Sequence, residues 1–288
     1  MTELIEDLKI YQQFPAEERL QLSQGTILAS HTGQANYRPT TLLPRLPWAP
    51  AHEGAKELLA LHTPEHFQWS KSIAIVRMPD DLVRPLTALD LQRAPFDPPA
   101  GSIPLASEHQ HLLQALYEYV THTYCFSPEK LILGPVVAGL PNELTTTFHR
   151  TSGMYTGLHI DSWEHASLPA RAFSPNRISI NVGTGTRYFL CLNMTAQRLA
   201  HILYPDGNLP LATNELARIS SLGPEFMKKY PEYPVVAIAV QPGEAYIAPT
   251  ENIFHDGSTA GSDVTDLTVT LRGYFSLRQE QLATGEQV

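Results

Sequence analysis

The hydrophobic pattern changes character near residue 130. Before it, the clearest periodic run is SEHQHLLQALYEYVTHTY (107–124). There Leu113, Leu116, Tyr117, Val120 and Tyr124 recur at helical spacing, and Ser107 stands where a helix cap belongs. TELIEDLKIYQQF near the start reads as a short helix and AEERLQLSQGTI as a second segment. RPTTLLPRLPWAPAHEG reads as irregular surface wrapping, because proline fixes φ and removes ladder donors. SIAIVRM (72–78) reads as a strand, and residues 79–106, with six prolines, as a long connection.

After residue 130 short apolar runs dominate: LILGPVVAG, TTTFHRTSG, RISINVG, TRYFLCLN, VVAIAVQ, EAYIAP and DLTVTLRGYF. Gly, Pro, Asn and Asp punctuate them. Strands at this spacing predict an all-β sandwich or barrel. TAQRLAHILY and NELARISSLGPEFMKKY (within 195–230) break the series as a helical insertion. The expectation is a single domain, 1–288, mainly β with helices (α+β). A helical and irregular part (1–129) packs on a β core (130–277), and residues 278–288 form a tail.

Composition narrows the class. Hydrophobic residues are 43% and charged residues 17%, enough apolar material for a sizeable core. A net charge of −9 disfavours a nucleic-acid partner. Cys125 and Cys191, in apolar contexts, read as buried free thiols. There is no apolar leader core and no run of membrane-spanning length, so a cytoplasmic protein without a membrane partner is expected. Nothing in the sequence indicates an oligomeric state.

The chemistry gathers around LHIDSWEH (158–165). In a strand His159 and Asp161 share a face. Two ligands hold a metal poorly, so a third is required. His165 has the right parity, but in an extended strand it stands roughly 20 Å away, and it reads as a loop residue. His255, in EAYIAPTENIFHDGST, is the better partner. Two histidines and one carboxylate make a facial set with open positions, the pattern of non-haem Fe(II) oxygenases. In DLTVTLRGYF, Arg272 shares a strand face with Thr268, Thr270 and Tyr274. A buried arginine needs a partner, and its planar fork suits a carboxylate.

The ordered set His159-x-Asp161, distal His255 and Arg272 resembles the Fe(II)/2-oxoglutarate-dependent dioxygenase superfamily over about residues 130–277. The resemblance implies a double-stranded β-helix (jelly-roll, cupin-like) core. It also implies Fe(II), 2-oxoglutarate and O₂ as cofactor and co-substrates, with Arg272 on the far carboxylate of 2-oxoglutarate. The reaction implied is oxidative decarboxylation to succinate and CO₂ coupled to oxidation of a substrate. Many members carry a serine two residues after the arginine; here Tyr274 stands there, and its hydroxyl is a substitute for that contact. Related halogenases lack the aspartate, so Asp161 favours hydroxylation, desaturation or ring formation.

Further candidates carry a bland reading beside the functional one. Asn181 is a candidate for the 2-oxoglutarate carboxylate or a strand-end structural residue. Arg187 reads as an anion contact for substrate or a rim ion pair. Trp163 reads as a wall of the substrate pocket or as core. Asn252 lies on the rim next to His255. The expected function is hydroxylation of a small molecule such as an amino acid or natural-product intermediate, with a peptide or protein side chain as the alternative substrate. The rivals are a cupin-type metalloenzyme that does not use 2-oxoglutarate and a non-catalytic metal- or ligand-binding barrel. The insertion at 195–230 is expected to lie over the pocket as a lid.

Overall fold

A computed structural model describes residues 3–13, 19–209 and 214–277. The N-terminal part contributes β1 (Lys9–Gln12), β2 (Leu20–Leu22), β3 (Thr26–Leu28), β4 (Leu42–Pro44) and β5 (Ala49–Pro50). It continues with α1 (Glu53–Leu59), β6 (Ala60–Leu61), β7 (Ser72–Arg77), α2 (Asp80–Thr87), β8 (Ala100–Ile103) and α3 (Gln110–Tyr124). Then come β9 (Ile132–Gly139), a small hairpin of β10 (Phe148–His149) and β11 (Met154–Tyr155), β12 (Asn176–Asn181) and β13 (Arg187–Thr195). The insertion forms α4 (Ala196–Leu203) and α5 (Glu215–Lys229), and β14 (Val236–Val240), β15 (Glu244–Ala248), β16 (Ile253–Ser258) and β17 (Asp266–Gly273) complete the chain.

Two sheets carry the architecture. The larger has the order β6-β1-β7-β15-β12-β17-β9-β8 and the smaller β16-β13-β14-β2-β5. The large sheet is mixed, because β1 runs parallel to β6 and β7 while its other pairs are antiparallel. Beyond residue 130 the chain passes repeatedly between them: β12 in the large sheet, β13 and β14 in the small, β15 large, β16 small, β17 large.

Period-two alternation sorts the side chains into three layers. Ile178, Ile180, Val269 and Leu271 pack outward with Leu116 and Val120 of α3 and Leu86 of α2. Between the sheets, Ile73, Ile75, Tyr246 and Ala248 meet Phe189, Cys191, Ile238 and Ile253. On the outer face of the small sheet, Leu190, Leu192 and Phe254 meet Leu199 of α4 and Leu222 and Phe226 of α5. Both cysteines are free, Cys191 fully buried and Cys125 partly so. Among the described residues no helix is long and apolar enough to cross a membrane.

Several sequence expectations change. The described residues of TELIEDLKIYQQF (3–13) form no helix; β1 lies among them and pairs with β7. Leu8 and Ile10 are both buried, a period-two signal that the acidic helix-forming residues around them obscured. The proline-rich stretch includes β4 and β5, and the long connection holds α2 and β8. Helix α3 begins at Gln110, after a 3₁₀ turn at Ser107–His109, and Ser107 makes no capping bond there. The tail at 278–288 lies outside the described residues.

The described part of the insertion packs a buried face, Leu199 of α4 and Leu222 and Phe226 of α5, on the small sheet. Gly223 of α5 lies against Phe254 of β16, and an added Cβ there would stand 2.2 Å from the ring. Gly223→Ala is therefore expected to cost about 1–3 kcal/mol through overpacking, read as a lower denaturation midpoint at unchanged slope.

Candidate metal centre

The segment 158–161 lies along β16 as an extra edge of the small sheet. His159 and His255 are bridged antiparallel and exchange both backbone hydrogen bonds, at 3.0 and 2.8 Å. Asp161 N–H donates to the Thr250 carbonyl at 3.0 Å, which continues the attachment. Residues directly opposite in an antiparallel pair project from the same face. The two imidazole rings consequently stand 4.8 Å apart between centroids.

His159 Nε2 is 3.7 Å from one Asp161 oxygen and His255 Nε2 is 3.8 Å from the other. The ligand atoms of His159, Asp161 and His255 all fall within 4.8 Å of one another. The opposite ring nitrogens are occupied by backbone: His159 Nδ1 lies 2.9 Å from the Gly157 carbonyl and His255 Nδ1 3.2 Å from the Ile253 carbonyl. A carbonyl only accepts, so each Nδ1 carries a hydrogen and Nε2 is the ring atom left for a metal, open on His255 and needing to lose a proton on His159. His255 Nε2 is buried without a hydrogen-bond partner. A buried acceptor left open beside a second one and a carboxylate fits a metal ion, and the mixed N,N,O set suits iron.

Electrostatics favours a cation here. Burial raises the Asp161 carboxyl, but Arg177, His159 and His255 outweigh it and hold it far below the usual range. Burial lowers His255 to about 4. Burial also works against charge on His159, yet Asp161 and Asp256 overcome it and raise that imidazole to about 10. Without metal, the two carboxylates stabilise a proton on His159; a divalent ion must displace it.

Arg272 projects from β17 opposite Arg177 on β12, in register. Both belong to the alternation that points between the sheets. Arg177 Nη2 donates to Asp161 Oδ2 at 2.6 Å. Arg272 lies 3.2 Å from Glu164 and 3.7 Å from the buried Glu251. Trp163, 60% exposed, has its ring over that guanidinium at 5.4 Å. A third arginine, Arg171, is fully buried and donates to the Asp161 and Glu251 carbonyls and to Ser162.

The other sequence candidates have structural partners. Asn181 donates to the Gly185 and Val240 carbonyls and accepts from Gly183 N–H, so it ties the β12–β13 turn and has no free donor for a co-substrate. Tyr274 donates to the Phe173 carbonyl at 3.1 Å and packs against Trp69 and Phe126. The strand ends at Gly273, so the alternation that put Tyr274 beside Arg272 stops before it. Arg187 is buried and paired to Asp266 at 3.2 Å, corresponding to the rim ion-pair reading. Gly257 makes room for it: a Cβ there would stand 2.8 Å from the Arg187 guanidinium and 2.4 Å from Thr146 Oγ1. Asn252 is buried and donates to the Ser70 carbonyl.

Arg177, Arg171, Glu164, Glu251 and Asp256 escaped the sequence reading as site residues. Only Arg177 left a usable signal, its shared parity with Ser179 and Asn181 on an inward-facing strand. Asp256 accepts three backbone N–H groups, from Thr146, Thr147 and Gly257, and its other oxygen is 3.6 Å from His159 Nδ1. A cavity of about 440 Å³ has His159 in its wall, with Thr41, Thr156, Met154 and, from α5, Ser220 and Met227.

No protein-family model matches the chain, and no curated protein does. Solved structures of the Kdo hydroxylase KdoO, a non-haem Fe(II) α-ketoglutarate-dependent dioxygenase, resemble it. The cobalt(II) complex aligns at a TM-score of 0.37 and 15% identity, covering 72% of this chain and 81% of that one. The apo form aligns at 0.39 and 14%, with the same coverage of each chain. At that overlap a reaction must be argued from side-chain geometry.

Two outcomes are expected. His255→Ala should weaken Co(II) or Fe(II) binding at least 100-fold in calorimetric titration while the far-ultraviolet spectrum is kept, since it removes one of three ligands. Between pH 6 and 9, metal affinity should rise by about tenfold per pH unit, because the ion competes with one proton on His159. A flat profile would contradict the protonated His159.

Proposed function

We propose that the chain is an Fe(II)- and 2-oxoglutarate-dependent oxygenase built on a double-stranded β-helix. The observation that carries this reading is the convergence of His159 Nε2, His255 Nε2 and Asp161 with Arg272 on a neighbouring inward-facing strand. The passage of successive strands between the two sheets supports the jelly-roll winding.

In this reading His159, Asp161 and His255 would hold the iron through two imidazoles and one carboxylate. Bound there, Fe(II) supplies the O₂ chemistry that couples decarboxylation of 2-oxoglutarate to oxidation of a C–H bond. The protein's own residues orient and exclude. Arg177 fixes the Asp161 carboxylate. Arg272 offers a planar fork to the far carboxylate of the co-substrate. Phe189, stacked 5.7 Å from His255, closes the inner side against water. The cavity that His159 lines has the scale of a small-molecule chamber, and Thr41, Thr156 and Ser220 share its wall, although Asp161, His255 and Arg272 do not line it. A small molecule is accordingly the substrate class we favour.

One observation favours a rival, a cupin-type metalloenzyme that does not use 2-oxoglutarate: Arg272 already faces two carboxylates, Glu164 and Glu251. Succinate production separates the two. The expected result is Fe(II)- and O₂-dependent conversion of 2-oxoglutarate to succinate, and a 10- to 100-fold higher KM for 2-oxoglutarate in Arg272→Met, on the scale of a lost charge-assisted pair. Iron binding with no succinate under any substrate would favour the rival; no iron binding at all would favour a non-catalytic barrel.

A further inference from the structure

The contacts of Arg272 are asymmetric. Its Nη2 meets Glu164 at 3.2 Å, while its Nη1 is buried without a hydrogen bond, 3.7 Å from Glu251 Oε1, which also lacks one. A guanidinium fork in a protein interior normally uses both arms on one planar acceptor. Here one arm is satisfied by a side chain that is itself 45% exposed. Glu164 reaches the fork from the loop that follows Asp161. Its backbone N–H is tethered to Glu251 Oε2 at 3.2 Å, and the next residue, His165, has φ +51°, a sharp local turn. Trp163 lies over the same guanidinium with most of its surface in solvent.

We propose that Glu164 is an internal competitor for the dicarboxylate site, occupying the place of the co-substrate's far carboxylate on Arg272 and thereby setting its affinity. The inference rests on the 2-oxoglutarate reading above. Glu164 can leave for water at small cost because it is half exposed, whereas Glu251 is buried and stays. The incoming carboxylate takes over both arms, Nη2 from Glu164 and the unbonded Nη1. One carboxylate replaces another, so the local charge is unchanged by the exchange. No bond is made or broken.

The test uses the full-length Co(II)-loaded protein and Glu164→Gln, titrated calorimetrically with 2-oxoglutarate and separately with pyruvate. Pyruvate has the chelating keto acid but no far carboxylate. The expected result is a two- to tenfold tighter Kd for 2-oxoglutarate in Glu164→Gln, the scale of a partly exposed ion pair, with pyruvate unchanged. Trp163 emission should also shift on adding 2-oxoglutarate and not on adding pyruvate, and the shift should vanish in Trp163→Phe. Equal or weaker 2-oxoglutarate binding in Glu164→Gln, or an equal gain for pyruvate, would overturn the proposal while leaving the co-substrate reading intact. If neither protein binds 2-oxoglutarate but both bind cobalt, the co-substrate reading fails and this inference with it.

Discussion

The site depends on the backbone pairing of His159 with His255. Two reciprocal N–H to carbonyl bonds make them directly opposed neighbours in an antiparallel ladder. Opposition forces both imidazoles onto one face, and the period of two brings Asp161 to the same face. Slipping the 158–161 segment along β16 by one residue would send His159 and Asp161 to the other surface while His255 stayed behind with β13. The ligand set is therefore a property of register, which places the two halves of the site, far apart in the chain, beside each other.

A centre of this kind must also balance charge in a space with little water. Asp161 meets Arg177, and Glu251 and Glu164 meet Arg272. Arg171, buried completely, bonds backbone carbonyls on both the 161 and 251 segments and so holds the metal-side loop to the strand entry of β16. Removing one partner from such an arrangement strands a charge, which costs far more than the intact pair contributes. The same arrangement explains why Arg177 and Arg272 tolerate each other as cross-strand neighbours: each has a carboxylate of its own.

How much of this the sequence carried depends on how local the cause was. His159 and Asp161 were legible because parity within four residues decides their common face. Arg272 was legible for the same reason, on a strand whose alternation is clean. His255 was found through residue type and its place in a strand-and-turn context, not through any local link to His159. Asn181, Asn252 and Arg187 stayed ambiguous in sequence because a buried polar side chain looks the same there whether its partner is a ligand, a distant backbone carbonyl or, as for Arg187, the Asp266 carboxylate. Tyr274 misled because the strand stops one residue earlier. Arg177 showed its inward face but not its partner, since Asp161 reaches it only through the folding of the intervening loop. Glu164 lay inside LHIDSWEH but drew no reading of its own, because its partner Arg272 is on another strand.

Strand β16 serves two layers of the molecule at once. Its alternate residues serve different layers: His255 faces the metal ligands, and Phe254 faces outward into α5 at Gly223. The placement of the three candidate ligands is fixed by pairing within the sheet, while the cavity wall beside His159 is built partly from α5 and the β10–β11 hairpin. Those wall elements lie outside the ladder that sets the ligands. A change at Ser220 or Met227 alters the shape of the chamber without shifting the register of His159 on His255, whereas a change at Phe254 acts on both layers at once. The insertion thus packs on the small sheet through Leu222 and Phe226 and lines the cavity beside His159 through Ser220 and Met227.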